Sequence, residues 1–334
     1  MGEADVVKGD ANGSGVYPAA DPCPACGVTG FQTLLTAEDR RFRTTAARFP
    51  VVECSECRLI RIEPQPTPER LRQYYPPCHP LAVRPPALSV KALWERFLLT
   101  SHLHFVERAL YESGETGVVL DVGCGQGNFL YHLRDRGVEL AAGVEFSLAA
   151  AADAWKVHEV PAVCATLTRA PFAPGSCAAV TMFMVLQHLY SPADYLDAAH
   201  KLLAPEGRLI VQVPNASSWQ FLIFGSQWIG LDIPRQLILF KAADIEKLLE
   251  ECGFEILRRK HFCLRDNPAM LVASLFPGLD PEIRKARQVQ ESSHARFWKN
   301  LAYNALFTLA IPVAFFESAC HAGATVMIEA RTRK

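Results

Sequence analysis

Four cysteines in two matched pairs form the clearest metal-ligand pattern of the sequence. Cys23 and Cys26 make one C-x-x-C pair, and Cys54 and Cys57 make the second. Four thiolates arranged in pairs suit a tetrahedral zinc ion, and a closed site of four sulfur ligands is structural rather than catalytic. A redox site is less well supported because neither pair opens a helix of a βαβ unit. The sequence therefore predicts structural zinc, with unliganded core cysteines as the alternative.

A glycine loop between a strand and a helix is the second pattern that could do chemistry. Residues 118–129 read VVLDVGCGQGNF, and Asp121 ends the apolar part. The loop that follows contains three glycines, Gly123, Gly125 and Gly127. Glycines let the backbone approach a ligand closely, and the next helix start offers free N–H groups. Glu145 closes the following apolar run, 18 residues after Gly127. The alternative is an ordinary βαβ turn with incidental glycines.

The elements that must position these residues alternate along the chain. Apolar runs bounded by turn residues predict strands at 118–122, 140–145, 178–185, 208–213, 254–260 and 324–330. Apolar spacing predicts helices at 90–111, 129–136 and 242–252, and Ser147 can cap a further helix. Such alternation implies a parallel sheet that is covered on both faces.

The compact G-x-G-x-G loop after an acidic strand end resembles motif I of the class I S-adenosylmethionine-dependent methyltransferases. Residues 172–189, 200–215 and 233–256 resemble the fourth, fifth and sixth strand regions of these enzymes. The resemblance implies a doubly wound, Rossmann-like α/β fold with a seven-stranded sheet. It also implies that S-adenosylmethionine is bound by the glycine loop and the two acids, with Phe183 or Gln187 against the adenine.

The composition and the motifs along the chain indicate an order of domains. We expect a disordered N-terminus over residues 1–20, a small zinc ribbon over 21–66, a proline-rich connector and helix over 67–117, and the methyltransferase domain over 118–334. A helical insertion at about 265–320 precedes the last strand. A zinc ribbon before such a core resembles a bacterial group that includes sugar C-methyltransferases and enzymes of cell-envelope and natural-product pathways.

A general base is needed only when the methyl acceptor must lose a proton. His188, Tyr74 and Tyr75 are the candidates, with His79 as a further one. His188 follows the predicted fourth strand at the edge where ligands bind in open α/β sheets. Its alternative is a histidine satisfied by neighbouring backbone. Arg235 could hold an anionic substrate group, or it could be an ordinary exposed arginine.

Aromatic residues concentrate in the segment after the predicted fifth strand. Trp219, Phe221, Phe224 and Trp228 could line an acceptor pocket or lid, or could simply pack against the helical insertion. Farther along, Leu301–Phe316 is strongly apolar but shorter than the roughly 20 residues that a spanning helix needs. We expect a buried or interfacial helix there, and peripheral membrane contact is possible through it.

The overall composition limits the classes of partner that we expect for this chain. The formal net charge is −1, so no overall field draws the chain to nucleic acid. Eleven cysteines, several of them in apolar segments, fit a reducing compartment, and we expect a cytoplasmic protein. The pattern predicts methyl transfer to the O or C atom of a small molecule that is sugar-derived, lipid-linked or a natural product. The alternatives are an RNA methyltransferase and a binding protein that has lost catalysis; the oligomeric state stays open.

Overall fold

The computed structural model describes residues 22–76 and 90–333. The predicted disordered segment over residues 1–20 and part of the proline-rich connector lie outside these residues, as does His79. The strands are β1 (Phe31–Glu38), β2 (Arg48–Cys54), β3 (Ile60–Ile62), β4 (Val118–Val122), β5 (Ala141–Glu145), β6 (Ala162–Cys164), β7 (Cys177–Phe183), β8 (Leu203–Pro214), β9 (Ile238–Leu239), β10 (Phe254–Lys260) and β11 (Thr325–Thr332). The helices are α1 (Pro68–Gln73), α2 (Val90–Ser113), α3 (Asn128–Arg134), α4 (Leu148–His158), α5 (Pro192–Leu202), α6 (Trp219–Phe224), α7 (Ala242–Glu251), α8 (Asn267–Leu275), α9 (Pro281–Ala286) and α10 (Ser293–Ala319).

Seven strands form the main sheet in the order β10-β11-β8-β7-β4-β5-β6. The predicted α/β fold with a seven-stranded sheet is confirmed. From β8 to β6 all neighbours are parallel, whereas β11 runs antiparallel to both β10 and β8. The sheet is therefore mostly rather than wholly parallel. The carboxyl ends of its central strands meet at one edge, and this edge holds the glycine loop.

The central strands of the sheet are largely apolar because both of its faces are covered. Leu120, Val180 and Val211 pack on one face, in the larger core cluster. Their chain neighbours Val119, Ala179 and Ile210 pack on the other face, against Leu103 and Val106 of α2. Alternate residues of a strand point to opposite faces, so each strand contributes to both cores.

The N-terminal cysteine region forms a second, antiparallel sheet in the order β1-β2-β3-β9. Its fourth strand is β9, which lies between the fifth and sixth strands of the main sheet along the chain. Ile60 pairs with Leu239 and Arg61 with Ile238. The predicted ribbon segment is therefore hydrogen-bonded to the main domain through a shared sheet.

The apolar segment near the C-terminus belongs to a longer helix than expected. α10 has 27 residues, and Ser292 caps its start by accepting a hydrogen bond from the Ala295 N–H at 3.2 Å. Phe307, Ala310 and Ala314 face the protein, but only 22 % of the most apolar stretch is buried. The expected helix is present, and the cap and the aromatic residues before Leu301 extend it toward its N-terminus. Burial does not hold for most of this stretch, whereas an interfacial position stays a prediction. By length and composition α10 could cross a membrane.

Candidate functional site

The loop after β4 turns through three glycines with positive φ angles, +73° at Gly123, +55° at Gly125 and +79° at Gly127. A Cβ on Gly123 would lie 2.8 Å from Cγ2 of Val185, so only glycine fits there. A Cβ on Gly125 would meet no atom within 4 Å. The backbone of Gly125 therefore borders open space, as a loop that receives a ligand must.

Glu145 lies at the end of β5 and closes on this loop. Its Oε2 accepts a hydrogen bond from the Gly125 N–H at 2.9 Å, and its Oε1 accepts one from the Ser147 N–H at 3.0 Å. Each carboxylate oxygen has a second lone pair for a further donor. The structure thus brings the predicted second acid to the glycine loop and fixes its orientation through backbone groups.

Asp121 lies on the other side of the loop, at the end of β4. The Thr181 hydroxyl donates to its Oδ1 at 2.6 Å. Burial raises the pKa of Asp121 to about 7; Glu145 adds to the rise, while Thr181 and Arg265 oppose it. Its charge is therefore sensitive to a cation or ammonium group placed beside it.

A cavity of about 210 Å³ opens between this loop and α2. One part of its wall is polar, with Asp121, Glu95 and Arg265. The remainder is lined mainly by apolar side chains and loop backbone, including Leu98, Leu99, Phe129, Phe183 and Gly123. Acidic and basic groups in one small cavity suit a zwitterion, such as the amino-acid end of S-adenosylmethionine. The residues present therefore fit that cofactor.

Arg265 is a cavity residue that the sequence analysis missed. Its Nε donates to Asp266 Oδ1 at 3.0 Å, and Gln212 Nε2 donates to the other oxygen, Oδ2, at 2.9 Å. The side chain is 40 % exposed, so part of the guanidinium remains open to the cavity. Its position just past β10, at the carboxyl edge of the sheet, was the signal that could have found it.

Phe183 and Gln187, the two predicted adenine contacts, have different surroundings. Phe183 lines the cavity, and its ring lies edge-on to Phe129 with centroids 5.0 Å apart. Gln187 is 1 % exposed, and its Oε1 has no hydrogen-bond partner among the described residues. The Gln187 carbonyl accepts a hydrogen bond from the Leu237 N–H. Contact of either side chain with adenine stays a prediction.

His188 lies in a short helical turn just past β7. Its Nδ1 is 2.8 Å from the carbonyl oxygen of Arg235, and a carbonyl can only accept. The proton therefore sits on Nδ1, and Nε2 carries a lone pair with no hydrogen-bond partner in the described part of the chain. Burial lowers the pKa of His188 below its ordinary 6.5. A neutral imidazole in this tautomer can accept a proton.

The two predicted tyrosines diverge. Tyr75 lies edge-on to Phe146, the residue after Glu145, with ring centroids 6.1 Å apart. Burial, with the charge of Asp232 next, raises the pKa of Tyr75 to about 12, so its hydroxyl stays protonated. Tyr74 packs its ring against Phe49 of β2 at 5.9 Å. Tyr75 is thus placed toward the cofactor loop, and Tyr74 toward the cysteine-bearing sheet.

Arg235 is neither exposed nor open to a substrate, and both earlier expectations for it are wrong. Its side chain is 1 % exposed, and Nη2 donates to Asp39 Oδ1 at 2.6 Å and to Asp232 Oδ1 at 2.8 Å. Nη1 donates to the Tyr74 carbonyl at 2.8 Å. Two carboxylates buried beside the guanidinium account for this burial. Arg235 therefore joins the N-terminal sheet, the connector and the main domain.

The four predicted zinc ligands converge. Cys23 and Cys57 have their sulfurs 3.6 Å apart, Cys26 and Cys54 have theirs 3.5 Å apart, and all four lie within 4.8 Å of one another. A tetrahedral zinc with Zn–S bonds of about 2.3 Å requires sulfurs about 3.8 Å apart. The two turns have the same form, since Gly27 N–H donates to the Cys23 carbonyl and Arg58 N–H to the Cys54 carbonyl. The donor set fits a structural zinc ion.

The aromatic segment after β8 contributes mainly to packing. Phe221 and Trp228 are buried and lie 5.6 Å apart between ring centroids. Trp219 is exposed and contacts Phe316 of α10 at 5.8 Å. Packing against the helical insertion is therefore observed for Trp219.

Comparison with known proteins agrees with this site. Residues 94–259 match the family model described as a methyltransferase domain. The chain is 29 % identical over 126 residues to a ubiquinone biosynthesis O-methyltransferase of Pseudomonas paraeruginosa, covering 35 % of this chain and 53 % of that protein. A namesake of Psychrobacter arcticus is 27 % identical over 153 residues, covering 41 % and 58 %. The chain thus spans little more than half the length of these relatives.

A solved structure from Thermotoga maritima, described as a methyltransferase and possible histamine N-methyltransferase, is 18 % identical. It covers 72 % of this chain and 92 % of its own, with a TM-score of 0.45. The family match spans the glycine loop, both acids and the central strands. The chain therefore carries a class I S-adenosylmethionine-dependent methyltransferase domain.

Proposed function

We propose that this chain transfers a methyl group from S-adenosylmethionine to the O or C atom of a small molecule. The observation that carries the proposal is the cavity beside the glycine loop, where Asp121 and Arg265 face one volume. An acceptor that is sugar-derived, lipid-linked or a natural product is the proposed class. The similarity to ubiquinone O-methyltransferases, 29 % identity over 126 residues, supports an acceptor with a lipid-like part.

Each group of this chain has a separate function in the proposal. When bound, S-adenosylmethionine would supply an electrophilic methyl group on a cationic sulfur, and the neutral thioether would be the leaving group. Arg265 would hold its carboxylate by charge-assisted hydrogen bonds, and Asp121 would attract its ammonium group. Glu145 would accept hydrogen bonds from the ribose hydroxyls. Phe183 and the leucines of α2 exclude water from the cavity.

His188 is the proposed general base. Its Nδ1–H is held by the Arg235 carbonyl, so Nε2 can take the proton of an acceptor hydroxyl or carbon acid. Replacing it with asparagine keeps an amide N–H near the position of Nδ1 for that carbonyl but removes the basic nitrogen. We expect His188→Asn to lower the rate of methyl transfer about 100-fold or more while cofactor affinity stays within about twofold. Unchanged transfer would reject His188 as the base.

The cofactor site is tested by calorimetry with S-adenosylmethionine. Glu145→Ala and Arg265→Ala should each weaken binding by about tenfold or more, because each removes a charged hydrogen-bonding group. Arg259→Ala is the matched control, since that arginine is half-exposed and pairs with Glu246 away from the cavity. Wild-type protein that binds no cofactor at millimolar concentration would contradict the proposed function.

We also propose that Cys23, Cys26, Cys54 and Cys57 hold one structural zinc ion. The close approach of the four sulfurs and the two matching turns support this. None of the ten cysteines among the described residues forms a disulfide, which supports a reducing, cytoplasmic location.

Peripheral contact of α10 with a lipid bilayer is part of the proposal. Its exposed apolar side chains join those of α6 and comprise Trp219, Leu222, Ile223, Phe297, Trp298, Leu301, Leu309, Val313, Phe315 and Phe316. Glu317 is the only acidic residue of α10 and is 4 % exposed, whereas Arg296 is 63 % exposed. Anionic lipid complements such a surface, and aromatic residues favour the membrane interface.

A spanning orientation of α10 conflicts with the sheet. β10 precedes α10, β11 follows it, and the two strands are hydrogen-bonded neighbours. A single spanning helix would place them on opposite sides of the bilayer. α10 must therefore lie along the surface if it contacts lipid.

Sedimentation with phosphatidylglycerol vesicles tests this contact. The double variant Leu309→Gln and Phe316→Gln should lose vesicle binding, whereas Leu140→Gln, an exposed leucine before β5, should bind as wild type does. A wild-type dimer that buries α10 and ignores vesicles would assign the surface to a second copy instead.

A further inference from the structure

The turn between β1 and β2 and the end of α9 bring together an arginine cluster, formed by Arg40, Arg43 and Arg287. Arg287 Nε donates to the Arg41 carbonyl at 3.0 Å, and its Nη2 donates to the Arg40 carbonyl. Arg40 Nη1 donates to the Gln227 carbonyl. These contacts are with carbonyl groups, which carry no charge; Asp39 and Asp280 favour the charge of Arg287 without a salt bridge to it.

The nearby carboxylates are engaged elsewhere. Asp39 accepts hydrogen bonds from Arg235, Thr44 and the Phe42 N–H, and Glu38 pairs with Arg48. None of the three arginines of the cluster forms a salt bridge within the described residues. Burial and then the charge of Arg43 lower the pKa of Arg40. Burial also lowers the pKa of Arg287, and Arg43 is the next cause. The charges therefore repel one another, as in a site built for an anion.

Two arginines of the cluster, Arg40 and Arg43, line a cavity of about 660 Å³ between the β1–β2 turn and residues 226–227. Arg48 and the hydroxyl-bearing Thr36, Thr45 and Ser226 line it as well, with the carboxylates of Asp39 and Glu38, which pair with Arg235 and Arg48. Arg287 is outside this lining and contacts the site through the Arg40 and Arg41 carbonyls. Guanidinium and hydroxyl groups in a concave site match the oxygen atoms of a phosphate group. The chain's net charge of −1 is unfavourable for an extended nucleic-acid backbone, so a discrete anionic group fits the site better.

The cluster is connected to the candidate base. His188 contacts the Arg235 carbonyl, the Arg235 guanidinium binds Asp39, and Asp39 directly precedes Arg40. Arg41, between Arg40 and the cluster's Arg43, lies 3.7 Å from Asp232, which is the second partner of Arg235. Arg235 therefore links the candidate base to the turn that carries Arg40 and Arg43.

We propose that Arg40 and Arg43, held by Arg287 through their turn, bind a phosphate or diphosphate group carried by the methyl acceptor. The link to the acceptor rests on the proposed function; the binding of the phosphate group does not. The N-terminal sheet then contributes to substrate recognition in addition to holding zinc. A phosphate of this kind could belong to a soluble acceptor or to a lipid-linked one.

Calorimetric titration of inorganic pyrophosphate into the full-length chain tests the site. Arg43→Gln removes a charge from an exposed side chain that has no hydrogen-bond partner among the residues described, so folding should be unaffected. Arg72→Gln is the control, since Arg72 is exposed on α1 and lies outside the cavity. We expect Arg43→Gln to bind pyrophosphate about tenfold more weakly than wild type and Arg72→Gln to match wild type.

The outcomes separate the sources of the phosphate. Pyrophosphate binding that depends on Arg43 supports the site; binding of phosphatidylglycerol vesicles with the same dependence assigns it to a lipid-borne phosphate. Equal affinity in all three proteins, or no binding at millimolar pyrophosphate, would overturn the proposal. So would an RNA oligonucleotide that displaces pyrophosphate with affinity growing with its length. Retained pyrophosphate binding without any S-adenosylmethionine binding would reject the proposed function alone.

Discussion

Asp121 is a carboxyl group whose charge changes near neutral pH. Burial raises its pKa from 3.8 to about 7. Between these two values the folded protein binds more protons at this site than the unfolded chain does. The stability contributed by the group therefore falls as the pH rises from about 4 to 7, and the deficit persists above that. A charge that is costly in the free protein is the kind that a cationic ligand can compensate.

The variant Asp121→Asn tests whether the charge of Asp121 destabilises the free protein and whether the same charge helps to bind the cofactor. Asparagine keeps an oxygen for the Thr181 hydroxyl but carries no charge. We expect the variant to melt at a higher temperature than wild type at pH 8. Its unfolding free energy should exceed that of wild type by at most about 4 kcal/mol at pH 8, and this difference should shrink toward pH 4. The affinity of wild type for S-adenosylmethionine should rise between pH 6 and 8 as Asp121 ionises. The variant should bind more weakly than wild type at pH 8 and should lack this rise. Thermal melts and calorimetry measure both; identical melts at pH 8 would contradict the argument.

At the residue scale, the sequence predicts what is local. Asp121, the three glycines and Glu145 are adjacent to strand ends, and their convergence follows from the parallel sheet. Arg235 and Arg265 were different because their surroundings come from distant segments. Asp39 lies 196 positions from Arg235, and Gln212 lies 54 positions from Asp266. Sequence periodicity carries no information about such distant pairs. The burial of Arg235 and the cavity position of Arg265 could therefore be found only from the three-dimensional fold.

At the scale of elements, the glycine loop can be compared with a second turn whose glycine also has a positive φ angle. Gly125 and Gly175 have φ angles of +55° and +71°, and a Cβ on either would meet no atom within 4 Å. Alanine at each should cost about 1 kcal/mol of stability, since L-residues disfavour this conformation. Only Gly125→Ala should also weaken S-adenosylmethionine binding, by about tenfold, because its methyl group enters the proposed ligand space. Equal affinity in the two variants would place the ligand elsewhere.

The elements that the sequence failed to predict are short or depend on distant partners. β9 has two residues, and it is a strand because Ile60 and Arg61 of β3 supply its hydrogen bonds. The sequence predicted the helices and strands around the glycine loop, including the Ser147 cap of α4, whose Oγ accepts from the Ala150 N–H. Amphipathic periodicity and caps are local, whereas strand pairing across the chain is set by packing.

At the scale of the whole molecule, a buried ion pair joins the two sheets. Asp39→Ala would leave Arg235 with Asp232 alone, and we expect a loss of about 3–5 kcal/mol in unfolding free energy. Glu38→Ala, which breaks the exposed pair with Arg48, should cost less than about 1 kcal/mol.

The same pair predicts a pH dependence. Burial raises the pKa of Asp39, but hydrogen bonds and charge from Arg235 outweigh it and lower the pKa to about 2. The stabilisation is therefore present above about pH 4 and is lost as the pH falls toward 2. Urea unfolding at pH 7 and pH 3 would test this dependence, because the loss of unfolding free energy caused by Asp39→Ala should be smaller at pH 3. Equal losses of unfolding free energy for the Asp39→Ala and Glu38→Ala variants would mean that the pair does not join the sheets.

Zinc should stabilise the whole molecule rather than the ribbon segment alone. β9 pairs with β3, and Lys241, two residues beyond β9, donates to Glu53 of β2 at 2.7 Å. Loss of the metal from the cysteines at one end of this sheet should therefore weaken packing on the main domain. We expect Cys26→Ser to lose zinc and to melt in one transition at a lower temperature than wild type. Cys164→Ser, which changes an exposed cysteine outside the cluster, should keep about one zinc per chain and melt as wild type does. If instead Cys26→Ser showed two transitions, with the upper one unchanged, the ribbon would be an independent unit and the shared sheet would carry little stability.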